Sequence, residues 1–136
     1  MIVVDTSIWV AFFNRAHDSK AFHLRDLINA AADLALTDLI LTEILQGIRD
    51  EQRFERVRSY LLNFPVFRAR GLQTFIHAAQ LYRRCQRSGV TVRKTIDCLI
   101  AAVTIEHGLE LFHDDRDFDA IARYARLAIY HVPTAA

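Results

Sequence analysis

Apolar residues along the chain fall into short unbroken runs separated by longer stretches with a spacing of three to four. Ile2–Val4 is the first run and ends at Asp5; residues 34–37, 65–68, 109–112 and 127–132 are of the same kind and predict strands. Between them the period changes. A helical period runs through Phe22, Leu24, Leu27 and Ile28 and predicts a helix over 19–32. Asp38 stands where it can cap a helix over 39–48, and Asp50 one over 51–63 that Pro65 stops. Further helices follow over 71–87, ended near Gly89, over 95–107, ended at Gly108, and over 117–126. Strands alternating with helices predict an α/β fold of three layers, α/β/α, around a central, mainly parallel sheet of about five short strands.

Length and composition agree with that pattern. The chain has 136 residues, 52% hydrophobic and 24% charged, with 4 Gly and 2 Pro, which excludes disordered and low-complexity classes. No repeat or linker divides it, so residues 1–136 read as a single domain. Cys85 and Cys98 form no CxxC pair and read as reduced, packed thiols. The chain opens on MIVVD, with no basic leader and no apolar run approaching about 18 residues, and is expected to be cytoplasmic, with no membrane partner.

In a parallel sheet, ligands bind beyond the carboxyl ends of the strands. Asp5 follows the first predicted strand, and Asp114, Asp115 and Asp117 follow the strand at 109–112, so both groups are expected at one sheet edge. Asp97 carries a separate argument. Ile96, Leu99, Ile100, Val103 and Ile105 make its helix apolar nearly all round, with only Asp97 and Thr104 on a polar strip. A lone carboxylate on a buried helix needs a partner, and a cation is the natural one. Glu43 lies opposite the apolar face of its own helix, one turn from Gly47, and by itself reads as solvated.

Carboxylates gathered at one edge repel each other until cations neutralise them, and oxygen-only ligation selects hard ions, Mg²⁺ or Mn²⁺. Water activated by such an ion attacks phosphodiesters in line, which makes a nuclease the expected chemistry. The six His residues show no HxxxH or HExxH spacing, and no GxGxxG, P-loop or GxSxG motif occurs, which disfavours zinc hydrolases, nucleotide-binding folds and serine hydrolases.

The segments IVVDTSIWV, TEI with Glu43, TIDCLIAA with Asp97 and LFHDDRDFDAIA with Asp115 together resemble a PIN-domain ribonuclease of the VapC type, a toxin of bacterial toxin–antitoxin pairs. The resemblance runs from Ile2 to Val132. It implies a catalytic set of Asp5, Glu43, Asp97 and Asp115, with Asp5, Asp97 and Asp115 on the metal, Asp117 as a supporting acid, and Thr6 and Ser7 orienting a ligand or water. Asp114 stands where the family commonly carries Asn. The resemblance further implies an RNA substrate, a VapB-type antitoxin, a homodimer and a toxin–antitoxin hetero-oligomer.

The formal charge of +1 conceals a strong division. Residues 1–48 carry −3, residues 49–94 carry +8 and residues 95–136 carry −4. Arginines dominate the middle segment and aromatics are interleaved with them, a composition that suits RNA, although arginines spaced by three to four over 49–58 also fit a solvated helix face shared with Asp50, Glu51 and Glu55. Arg93, Lys94 and Arg116 flank the acids and are the better candidates for phosphate contact. Three other readings stand beside the toxin: an RNA-processing nuclease of the same fold, a catalytically silent RNA- or antitoxin-binding module, and a phosphatase using Asp5. The segment DTSIW lacks the second Asp of a DxD phosphatase loop.

Overall fold

The computed structural model describes residues 1–134; residues 135 and 136 of the predicted domain lie outside the described residues. Five strands, β1 (Ile2–Val4), β2 (Leu34–Thr37), β3 (Val66–Phe67), β4 (Glu110–Phe112) and β5 (Ala128–Ile129), form one sheet in the order β3-β2-β1-β4-β5. Every neighbouring pair is parallel, and Val3 stands opposite Ala35 on one side and Leu111 on the other. The connecting helices are α1 (Thr6–Phe13), α2 (Ser19–Asn29), α3 (Asp38–Gln46), α4 (Glu51–Leu61), α5 (Leu72–Arg87), α6 (Thr95–Glu106) and α7 (Arg116–Tyr124).

From β1 the chain builds outward to β2 and β3, then returns past β1 to lay down β4 and β5. Right-handed crossovers turn that reversal into a change of face. Accordingly α1 packs on α2 and α3 and α3 on α4, whereas α5, α6 and α7 pack on one another. With helices on both sides, Val3, Val4, Ala35, Leu36 and Leu111 are wholly buried, which is why these strands read as solid apolar runs. The reversal leaves a crevice beyond the carboxyl ends of β1 and β4, where the chain leaves the two strands toward opposite faces.

Predicted and observed elements agree closely, with three differences. First, a helix over Thr6–Phe13 was not expected: its IWVAFF stretch is apolar on every side and shows no period, and only the capping of Ser7 N–H by Asp5 signals the turn. Second, α3 is capped by Thr37, whose Oγ1 accepts from Ile40 N–H at 3.1 Å. Asp38 occupies the first turn instead, and its Oδ2 accepts from Ala69 N–H at 3.1 Å, tying α3 to the segment after β3. Third, the run at 127–132 pairs with β4 only through Ala128 and Ile129. Gly108 ends the loop after α6 at φ 65, a conformation that glycine adopts without a Cβ clash.

The α1 helix is fixed by its aromatic side. Trp9, fully buried, stacks on Phe13 at 5.7 Å between centroids and meets Phe64 at 5.4 Å and Tyr60 at 6.4 Å, which joins α1 to α4 and its following turn. Among the described residues its Nε1 has no hydrogen-bond partner. Trp9→Ala is expected to cost about 3–5 kcal/mol in denaturant unfolding. Trp9→Phe is expected to cost less than half as much, since it also removes an unpartnered buried donor.

Candidate metal centre

Four chain segments meet at the crevice. Asp5 follows β1, and its Oδ2 accepts from Ser7 Oγ–H at 2.8 Å and from Ser7 N–H at 3.3 Å. The same Ser7 Oγ accepts from Asp114 N–H at 3.2 Å, and Asp5 N–H donates to the Phe112 carbonyl at 2.9 Å, so the ends of β1 and β4 are clamped together. Thr6 Oγ1–H donates to Glu43 Oε1 at 2.7 Å and holds α3 against the end of β1. Both hydroxyls that were expected to orient a ligand or water therefore restrain carboxylates, and Glu43, half-buried, is tied to the site by Thr6.

Asp97 lies in the first turn of α6, a helix whose residues from Asp97 to Thr104 are all buried except Leu99. Asp97 is 2% exposed, and among the described residues its Oδ2 has no hydrogen-bond partner. Thr104, on the same strip, satisfies itself by donating to the Ile100 carbonyl at 2.7 Å, so the burial of Asp97 alone is left without compensation.

After β4 the two consecutive acids part company. Asp114 turns outward, half-exposed, to Lys20 Nζ at 3.2 Å, while Asp115 turns inward and caps α7 through Asp117 N–H at 2.9 Å. Oxygens of Asp97, Asp115 and Asp117 lie within 4.8 Å of one another. The resemblance implies a supporting place for Asp117 and a ligand's place for Asp5. In the structure Asp117 belongs to the tight group, and Asp5 borders it closely enough for its charge to raise the Asp97 pKa.

Arg93 is the residue whose surroundings differ most from expectation. Its Nε donates to Asp117 Oδ2 at 3.1 Å, its backbone N–H to the same oxygen at 3.4 Å, and its Nη2 to Asp115 Oδ1 at 3.5 Å. It serves as an internal counter-ion for two of the acids, although its side chain is more than half exposed. No periodicity could signal a pairing across 24 residues of chain. Lys94, the exposed residue preceding α6, is near enough for its charge to lower the Asp97 pKa, and Arg116 is exposed at the start of α7. His113 is structural: Nδ1 accepts from Asp115 N–H at 3.0 Å, Nε2 faces Asp119 at 3.2 Å, and burial lowers its pKa.

Burial pushes Asp5 up to about 6; the Ser7 hydrogen bonds oppose the shift and the Glu43 charge adds to it. Burial pushes Asp97 up to about 7, opposed by Lys94 and reinforced by the charges of Asp115, Asp5 and Glu43. An orphaned, buried carboxylate oxygen among oxygen-only neighbours fits a hard divalent cation. Neither a thiol nor an imidazole belongs to this group, and Cys85 and Cys98 are free and buried elsewhere.

The PIN domain family model matches residues 2–124. Over 128 residues the chain is 38% identical to ribonuclease VapC11 of Mycobacterium tuberculosis, covering 93% of this chain and 96% of that one. The chain belongs to the PIN-domain family, among its VapC members. Among solved structures of the PIN fold it is similar to VapBC2 from Rickettsia felis, bound to a DNA fragment from their promoter, with a TM-score of 0.73 at 18% identity over 96% of this chain and 98% of that one. It is also similar to VapC20 of M. tuberculosis, described as a sarcin–ricin loop cleaving toxin, with a TM-score of 0.69 at 19% identity over 93% and 98%.

This PIN-domain acid cluster makes stability depend on pH. Folding raises Asp5 and Asp97 above the ordinary 3.8, so the folded chain keeps protons that the unfolded chain has released. Their stabilising contribution is complete below about pH 4 and is lost as pH rises through about 6 and 7. The Tm of the metal-free protein should therefore fall between about pH 5 and 8; Mn²⁺ should restore it at about pH 8 with little effect at about pH 5, and Asp97→Asn should flatten the decline. A metal-free profile that rises over that interval would contradict the assignment.

Proposed function

We propose that this chain is a metal-dependent endoribonuclease and the toxin of a VapBC-type pair, acting in the cytoplasm. The observation that carries the reading is the orphaned Asp97 carboxylate at the centre of an oxygen-only cluster, in a chain that shares 38% identity with a VapC ribonuclease over nearly its whole length. Asp97, Asp115 and Asp117, with Asp5 beside them, would hold Mg²⁺ or Mn²⁺. When bound, such an ion supplies a Lewis acid for the phosphate and acidifies water.

The chain's own groups do the remaining work. Glu43 is held at Oε1 by Thr6, which leaves Oε2 to accept the proton of an attacking water at the rim of the site. Ser7 fixes the Asp5 carboxylate, and Arg93 holds Asp115 and Asp117 in place against their mutual repulsion. Lys94 and Arg116, exposed on either side of the acids, are placed to bind flanking phosphates. As water adds to phosphorus and its proton passes to Glu43, the P–O bond to the leaving ribose oxygen breaks and that oxygen takes a proton from solvent water. The naming of R. felis VapBC2 supports a VapB-type antitoxin as partner, and a toxin homodimer within a hetero-oligomer is part of the same reading.

The test is cleavage of single-stranded RNA by the purified chain with Mg²⁺ or Mn²⁺ and with chelator. Cleavage should require the ion. Asp5→Asn and Asp97→Asn should each lower the rate by roughly 10²-fold or more, and Glu43→Gln by roughly 10²- to 10⁴-fold, the range of a lost general base. Wild-type rates in Asp97→Asn would overturn the reading; tight, salt-dependent RNA binding with no cleavage under any ion would favour a silent binding module.

A further inference from the structure

Asp114 and Asp115 follow β4 together, yet only Asp115 joins the group of acids whose oxygens converge. The main chain does not account for the difference. Asp114 N–H donates to Ser7 Oγ at 3.2 Å, and that hydroxyl donates in turn to Asp5 Oδ2 at 2.8 Å, so the backbone of Asp114 stands two hydrogen bonds from a carboxylate of the site. What separates Asp114 from the acids is the direction of its side chain, which turns to Lys20 on α2: Lys20 Nζ donates to Asp114 Oδ1 at 3.2 Å.

Lys20 is held at both of its ends. Asp18 caps α2 and accepts from the Lys20 N–H at 2.7 Å, which fixes the residue in the first turn of the helix. Its Nζ makes a second hydrogen bond, to the His113 carbonyl at 2.9 Å, just beyond β4. A lysine on an open surface spreads its charge over many rotamers, whereas this one presents it at a single place beside the turn that carries both acids. The side chains of the pair are 36% and 53% exposed, so their attraction is modest, worth at most about fivefold in the population of the outward conformer. Among the described residues no other cation lies within 4.0 Å of Asp114.

We infer that Lys20 is a positioning residue for the metal centre: by holding the Asp114 carboxylate outward, it decides which of two consecutive acids serves the ion. The inference rests on the metal-dependent nuclease reading above and deepens it, by naming the group that limits the ligand set. A small hard cation accepts a fixed number of oxygens, so each further carboxylate takes a position that water or a phosphate oxygen needs and lowers the net charge left to act on the phosphate. Asp114 in the set would therefore tighten the ion and slow the reaction. Lys20 keeps the ion looser and its coordination open.

The test is a calorimetric titration of the full chain with Mn²⁺, without RNA, in about 0.15 M salt so that distant charges are screened. Wild type, Lys20→Met, Asp114→Asn and the double variant are compared, and RNA cleavage at saturating Mn²⁺ is measured on the same preparations. Lys20→Met keeps an unbranched side chain without its charge; it should bind Mn²⁺ roughly fivefold more tightly and cut RNA more slowly. Asp114→Asn should alter the Mn²⁺ affinity by less than about twofold in the wild-type background and by roughly fivefold in Lys20→Met, where it returns both affinity and cleavage to wild-type values. Lys20→Arg, which retains the charge, should keep the wild-type affinity. Equal effects of Asp114→Asn in the two backgrounds mean that its charge acts only from a distance, and overturn the inference, as does a wild-type Mn²⁺ affinity in Lys20→Met. Either result leaves the metal-dependent reading standing, whereas a wild-type chain that binds no Mn²⁺ removes both.

Discussion

The burial of Asp97 is the constraint around which the molecule is built. A carboxylate 2% exposed on an otherwise apolar helix, with one oxygen unpartnered, costs far more than the 0.3 to 1 kcal/mol that a helix N-terminus typically returns. The charges of Asp115, Asp5 and Glu43 increase that cost, as the raised Asp97 pKa records. A site that is unfavourable when empty is correspondingly favourable when a cation enters, because the same repulsions become attractions to the ion. Stability has been exchanged for readiness to bind.

The surrounding groups show how that tension is contained. Four of the acids are gripped at a single oxygen: Asp5 by Ser7, Glu43 by Thr6, Asp115 by the start of α7, and Asp117 by Arg93. One restrained oxygen fixes the direction of the carboxylate, which is a condition for a preorganised ligand set. Arg93 adds a solvent-facing positive charge to this arrangement. The four grips come from the ends of two strands and three helices, so the geometry of the site is a consequence of the sheet order and not of any one loop.

Much of this was legible in the sequence. Solid apolar runs located every strand, because a sheet covered on both faces leaves no alternation to obscure them. The wheel of residues around Asp97 announced its burial, since an all-round apolar helix can lie nowhere else. What was hidden has a common cause. The α1 helix, with IWVAFF, carries apolar side chains on its exposed side as well, Val10 among them, and so lacks a polar face to reveal its period. The choice between Asp114 and Asp115 depends on Lys20, and the entry of Asp117 into the cluster depends on Arg93, both through contacts that span long stretches of chain. Local pattern gives the burial of a side chain; it does not give its partner.

The distribution of arginine follows the same logic. The +8 middle segment is one block in sequence but several in space: Arg93 is bound to acids, Arg84 donates to the Tyr124 carbonyl at 3.1 Å, and Arg58 is paired on an outer face. Only a part of that charge is free to meet a polyanion, and the acid cluster itself repels phosphate until a cation is in place. On the nuclease reading proposed above, attraction for RNA depends on the ion in the acid cluster together with the arginines that remain free. Binding of the ion and binding of the strand are coupled on electrostatic grounds, each lowering the cost of the other.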